Sequence, residues 1–381
     1  MDFEQTQPIQ PEPQPLRFHG SGGEYFRIWI VNLLLSILTL GIYSAWAKVR
    51  RLQYLYRSTE LAGSSFEYHG RPLAILKGRI IALLLLLAYQ NAFKVSPRIG
   101  FAVLLLLAVV LPILLRSSLM FRLHYSSYRG LRFSFRGSVA GAYDAFLGGF
   151  LGSVFTAYLA APLFHQRLKA YQHGNSRYGN SAFSFDAKAR AFYGIYGRVL
   201  LMFIGMFALF IAAMVAVIPT VAKHGAALHA NAPAQTSQLM AAADTPKQEP
   251  AKPKIDPREA FLIGMVVVLL FYLPLLLLIA PYMTARLQNL IWNHTRLGEH
   301  RFESRLSARR LFMIYLTNLL GMIFTLGFYY PWAMVRLARY RIVSMTLVPA
   351  SPLEGFIAGQ EEEVGAIGME TAGAFDIDIS F

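Results

Sequence analysis

Pro162–Phe185 reads PLFHQRLKAYQHGNSRYGNSAFSF, and its parts stand at spacings that return along the chain. With Pro162 as zero, Arg167 falls at +5, Tyr171 at +9, Gly179 at +17, Phe183 at +21 and Phe185 at +23. Three more stretches carry this frame, with zero positions Ala45, Pro112 and Pro281. Their +5 residues are Arg50, Ser117 and Arg286, and their +9 residues Tyr54, Phe121 and Leu290. Position +21 is always Phe (Phe66, Phe133, Phe302), +23 is Tyr68, Phe135 or Ser304, and Gly63, Gly130 and Gly298 stand at +17 or +18. A fifth start, Pro331 with Arg336 and Tyr340, lacks a distal half, whereas a fifth distal half, Leu16, Phe18 and Gly20, lacks a start. Thr39-Leu40-Gly41 returns as Thr325-Leu326-Gly327, with Asn32 and Asn318 seven residues before each. Fixed periods of this kind predict one structural unit used several times.

The 381 residues are 55% hydrophobic and only 15% charged, with a mean hydropathy of +0.41. A soluble chain of this length exposes far more charge, so the class is a polytopic membrane protein. Cysteine is absent, which excludes disulfides and thiolate chemistry. The basic residues are unevenly placed: Ile342–Phe381 contains no Lys or Arg and carries −7, which leaves +22 for the remainder of a +15 chain. Much of that charge flanks apolar segments, where membrane proteins keep their cytoplasmic Lys and Arg, so nucleic-acid binding is not expected.

Seven apolar stretches have roughly the 17–25 residues a bilayer crossing needs. They are Ile28–Ala47, Ile75–Phe93, Ile99–Leu115, Ala145–Phe164, Val199–Ala222, Ala260–Thr284 and Leu311–Val335. The reading is an all-α membrane protein of about seven hydrophobic helical segments, with short aromatic β-turn or hairpin motifs at the cytoplasmic side. Residues 1–15 read as a disordered Pro/Gln-rich tail, 16–341 as the membrane domain, 223–258 as a polar loop and 342–381 as an acidic tail. If every stretch crosses once, the third and fourth copies of the frame lie on opposite faces, as in transporters with inverted halves. If stretches one, four and seven re-enter, every copy stays cytoplasmic. The equal basic bias around the fourth stretch favours the second arrangement, and Gly41, Gly148-Gly149 and Gly327 are residues able to break those helices.

Arg at +5 and Tyr at +9 share a helix face. Arg50, Arg167, Arg286 and Arg336, with Tyr54, Tyr171 and Tyr340, are therefore candidates to contact anionic headgroups, either as generic interfacial anchors or by converging on one ligand. Asn32, Asp144 and Asn318 are the candidate intramembrane polar residues, because polar groups at that depth need a partner. His19 and His69 lack metal-ligand spacing and read as polar neighbours of the aromatic strands. No catalytic residue, metal or cofactor is expected, since none of the hydrolase, protease or nucleotide motifs is present.

The stretch EYFRIWIVNLLLSILTLGIYSAWAKVRR, FHGSGGEYF before it, and SSYRGLRFSF, SRYGNSAFSF and HTRLGEHRF later together resemble the YjgN-like family. The resemblance runs from about Phe18 to Arg341 and implies a bacterial inner-membrane protein of unassigned role, with no catalytic or binding residues to carry over. Ala45 where Pro would stand, and the long polar loop, are departures from that pattern. Two functions are expected: a non-enzymatic membrane scaffold or lipid-interacting protein, or a small-solute transporter or channel built from internal repeats. Anionic membrane lipids are the expected partners; oligomeric state is not legible.

Overall fold

Alternating aromatic residues bounded by glycine become strands, because each strand must turn back sharply and offer one face to a core. Ala62 and Gly63 (φ 46° and 76°), like Arg129 and Gly130 (φ 47° and 76°), are consecutive left-handed residues of two-residue hairpin turns. The computed structural model describes residues 12–230 and 275–352, with five further positions between them. Nearly all of the polar loop after Ala230, part of the sixth apolar stretch and the greater part of both tails lie outside the described residues.

Eleven strands form one antiparallel sheet among the described residues. They are β1 Gln14–Pro15, β2 Arg17–Phe18, β3 Thr59–Leu61, β4 Ser64–Tyr68, β5 Ser126–Tyr128, β6 Leu131–Phe135, β7 Ser176–Tyr178, β8 Ser181–Phe185, β9 Thr295–Leu297, β10 His300–Ser304 and β11 Met345–Val348. Their order is β1-β11-β10-β9-β8-β7-β6-β5-β4-β3-β2. β1 and β2 are consecutive in the chain, joined at Leu16, whose N–H donates to the Met345 carbonyl (3.0 Å). The two ends of the order thus meet, and the sheet nearly closes into a barrel. The fifth start and the fifth distal half, at opposite ends of the sequence, come together at this closure: β11 pairs with β1 at Leu347↔Gln14 and Thr346↔Pro15.

Equal offsets meet equal partners around the barrel. Phe66 faces Tyr128, Phe133 faces Tyr178, Phe183 faces Leu297 and Phe302 faces Leu347, so +21 of one copy lies opposite +16 of the next. One apolar cluster accordingly gathers the +16 residues Leu61, Tyr128, Tyr178, Leu297 and Leu347, all buried, and packs Leu16, Phe66, Phe133, Phe183 and Phe302 against them. The hydroxyl of Tyr178 donates to the Tyr128 carbonyl (2.8 Å) and that of Tyr128 to the Leu61 carbonyl (2.6 Å), which satisfies both buried phenols.

Helices fill the intervals between hairpins. They are α1 Gly22–Leu38, α2 Ser44–Arg57, α3 Pro72–Val95, α4 Pro97–His124, α5 Val139–Ala142, α6 Gly149–Phe155, α7 Ala161–Gly174, α8 Ala189–Ala230, α9 Ala280–Asn293, α10 Ala308–Phe324 and α11 Tyr330–Val343. A π-helical turn, Tyr143–Gly148, joins α5 to α6. The chain divides into two compact units, Met1–Tyr196 with Tyr282–Phe381 and, separately, Gly197–Pro281. The sheet belongs to the first.

The all-α reading with seven hydrophobic segments is therefore corrected. Besides the sheet, only three described helices are long and apolar enough to cross a membrane: α3, α4 and Ala189–Ala212 of α8. Stretches one, four and seven are each two helices with a sharp break. At the first break Thr39 donates its hydroxyl to the Leu35 carbonyl (2.7 Å) and accepts from the Tyr43 N–H (2.9 Å). Thr156 does the same with Gly152 and Ala160, and Thr325 with Gly321 and Tyr329. Left-handed pairs follow each threonine: Leu40 and Gly41, Ala157 and Tyr158, Leu326 and Gly327. Two such residues in succession end a helix. In the fourth stretch the break lies here and not at Gly148-Gly149, which remains helical.

Each of these hairpins leaves and rejoins the sheet through adjacent strands: β2 pairs with β3, β6 with β7 and β10 with β11. The α3–α4 pair does likewise between β4 and β5. One sheet thus holds every copy of the frame, an arrangement that two inverted halves would not give.

Candidate functional site

Five helices lead directly into strands β3, β5, β7, β9 and β11: α2, α4, α7, α9 and α11. They pack in the same circular order as the strands. Val49 and Phe121 share a cluster, as do Leu119 and Tyr171, Ala285 and Leu337, and Val335 and Leu55. The remaining junction sets the His173 ring edge-on to Trp292 at 5.6 Å. The zero positions Ala45, Pro112, Pro162, Pro281 and Pro331 are all buried.

A cavity of about 360 Å³ lies inside the barrel. Offset +11 contributes Tyr56, Leu123, His173, Trp292 and Ile342 to its wall, and +21 contributes Leu16, Phe66, Phe133 and Phe183. Gln288 and Arg341 also line it. Arg341 donates from Nε to Gln288 Oε1 (2.8 Å), and Gln288 donates from Nε2 to the Arg341 carbonyl (3.1 Å). Lys169 donates to Gln172 Oε1 (3.1 Å), one turn along α7. Both are buried, at 5% and 3% exposure, and Gln172 Nε2 has no hydrogen-bond partner among the described residues. Burial, reinforced by the positive charge of Arg122 and Arg341, brings the Lys169 amine down to about 7. Burial, with Lys169 and Arg122, takes the His173 imidazole down to about 3, so it is neutral.

A second concavity, of about 1050 Å³, opens between α10, α11 and strands β10 and β11. Arg305, Arg310, Arg336, Arg339 and Tyr340 line it. Arg336 donates to the Thr317 hydroxyl (2.7 Å), Arg339 to the Gly20 carbonyl (2.7 Å), and the Arg310 guanidinium lies 5.0 Å from the Tyr340 ring centre.

The other residues singled out from sequence are dispersed. Arg50 and Arg286 lie over the rings of Tyr43 and Tyr282, and Arg167 pairs with Asp144 at 3.7 Å; all three arginines are exposed and none lines the axial cavity. The three tyrosines share one task. Tyr54 bonds the backbone of Ser21, Tyr171 that of Ser138 and Tyr340 that of Ser307, each serine capping the next helix over. Asn318 donates to the Ala333 carbonyl across the seventh stretch (3.2 Å), and Asn32 is buried at the matching place.

The chain matches the family described as bacterial protein of unknown function (DUF898) over residues 13–374. It belongs to that family. Relatives named inner membrane protein YjgN are 35% identical over 130 residues in Escherichia coli K12 and 30% identical over 129 residues in Salmonella typhimurium. The first match covers 32% of this chain and 31% of the relative, the second 34% and 33%. The chain thus spans about a third of the length of the curated relatives it matches. No solved structure matches. With its apolar helices, this is a multi-pass protein of the bacterial inner membrane.

Sequence reasoning missed Lys169, Gln172 and Gln288. The signal was available: +7 is Leu52, Leu119 and Ala338 in three copies but Lys169 and Gln288 in the other two. A polar residue where its counterparts are apolar marks an altered core position.

Proposed function

We propose that this protein is a non-enzymatic, lipid-interacting membrane scaffold that holds anionic headgroups at the base of its short helical hairpins. The arginine-lined cleft between α10 and α11 carries this reading. Guanidinium groups suit phosphate oxygens, and a Tyr at the same level suits the interfacial belt. The tip of that hairpin exposes apolar side chains, with Phe324 83% and Leu326 90% exposed, a surface suited to contact with the membrane. Leu40 and Phe155 are likewise 95% and 84% exposed at the other two tips. Arg50, Arg167 and Arg286, at the same offset as Arg336, offer further headgroup contacts.

The test is phosphatidylglycerol binding to the purified protein in neutral detergent. Arg310→Gln with Arg336→Gln is expected to weaken binding about tenfold or more, since hydrogen bonds to charged groups are the stronger ones. Unchanged binding would sink the proposal. Passage of a small solute along the barrel axis is the second reading, favoured by the axial cavity.

A further inference from the structure

The three short helical hairpins and the long α3–α4 pair turn, at their far ends, in opposite chemistry. The α3–α4 turn carries Lys94 and Arg98, both exposed. The other three turns lie in runs without charge: residues 28–47, 145–166 and 311–335 hold no Asp, Glu, Lys or Arg. Their tips nevertheless expose Leu38 and Leu40, Phe155 and Leu159, and Phe324 and Leu326. Apolar side chains gathered at a tip gain by leaving water, and acyl chains can cover them. Length separates the two kinds as well. Helices α3 and α4, of 24 and 28 residues, are long enough to cross a membrane. The uncharged arms that enter the short hairpins, residues 28–38, 145–155 and 311–324, rise only about 16–20 Å against the ~30 Å of a hydrocarbon core.

Irregular backbone in hydrocarbon is costly through its unpaired polar groups. In each short turn six consecutive N–H groups have acceptors inside the hairpin: residues 39–44, 156–161 and 325–330. The threonine hydroxyl takes one of each six, at Tyr43, Ala160 and Tyr329. A turn in water needs no such closure, because water supplies the partners. Arg79 of α3, which reaches the first hairpin from its flank, is half-buried and donates to the Ser44 hydroxyl, as a cation at that depth must find a partner. We propose that the three short hairpins end inside the bilayer, in the leaflet beside the sheet, and that their tips are docking surfaces for phospholipid acyl chains near the midplane. The hairpins then add helix volume to one leaflet and none to the other. The inference rests on the tips and on none of the cleft arginines, so either proposal can fail alone.

The experiment places bimane on single cysteines in the full-length protein in phosphatidylglycerol–phosphatidylcholine vesicles. Leu38→Cys, Phe155→Cys and Phe324→Cys mark equivalent places, each one residue before the threonine and each on an exposed side chain. Val95→Cys, in the α3–α4 turn, is the contrast. Bimane at the three tips is expected to be quenched most by lipids brominated toward the end of the acyl chain, and not by iodide from either side of the membrane. Iodide should quench it at Val95→Cys. Iodide quenching at the tips would place those turns in water and overturn the proposal. Strongest quenching by lipids brominated beside the headgroup would lay the hairpins along the surface and overturn it equally.

Discussion

Two layers of the barrel axis differ in how closely the five copies agree. At +21 stand Leu16, Phe66, Phe133, Phe183 and Phe302, all apolar and all packed against one cluster. At +7 stand Leu52, Leu119, Lys169, Gln288 and Ala338, a mixture of leucine, alanine, amide and ammonium. The upper layer holds the sheet together, and any copy that departed from it would open a void. The lower layer lies in the circle of helices, where Lys169 bonds Gln172 within α7 and Gln288 of α9 bonds Arg341 of α11. Uniform positions carry the architecture; divergent ones set the polarity of the helix layer.

The largest effect should come from the uniform layer. Leu347 is 2% exposed in the strand that joins the two ends of the sheet. Leu347→Ala is expected to cost about 2–5 kcal/mol through lost burial and a residual cavity. Thermal melting in detergent reads it; a loss under about 0.5 kcal/mol, the usual limit for surface substitutions, would show that closure adds little.

A smaller effect of opposite sign belongs to the divergent layer. Lys169 titrates near 7 when folded, below the ordinary lysine value, so the unfolded chain binds more protons between about pH 7 and 10. Stability should therefore rise with pH across that window and stay at its lower level beneath pH 7. Lys169→Met should abolish this slope and stabilise the protein at pH 6 by on the order of 2 kcal/mol. Melting curves at pH 6, 8 and 9 check it, and a Lys169→Met protein that keeps the slope would move the titration elsewhere.

Much of the upper layer was legible from sequence, because Phe at +21 and glycine at +17 or +18 are local signals for a strand and its turn. Closure of the sheet was not, since β11 and β1 pair across nearly the whole chain and neither half carries the complete frame. Breaks in stretches one, four and seven were among the arrangements read from sequence, but the residues that break the fourth were not. Their tips are themselves apolar, at Leu40, Leu159 and Leu326, so hydropathy runs on unbroken while a threonine hydroxyl and two left-handed residues reverse the chain. Arg50, Arg167 and Arg286 were readable as a periodic set, but periodicity gave no indication that each would meet a separate neighbour. Lys169 and Gln172 escaped because they read as ordinary helix-surface residues until the barrel axis is known.

The placement of every hairpin at one membrane face is tested most directly by single-cysteine labelling in oriented inner-membrane vesicles, which the absence of native cysteine makes clean. Ala62→Cys, Arg129→Cys, Asn180→Cys and Glu299→Cys put one thiol in each of four hairpin turns. A membrane-impermeant maleimide should reach all four from the same side. Labelling of Arg129→Cys and Asn180→Cys from opposite sides would contradict a single sheet.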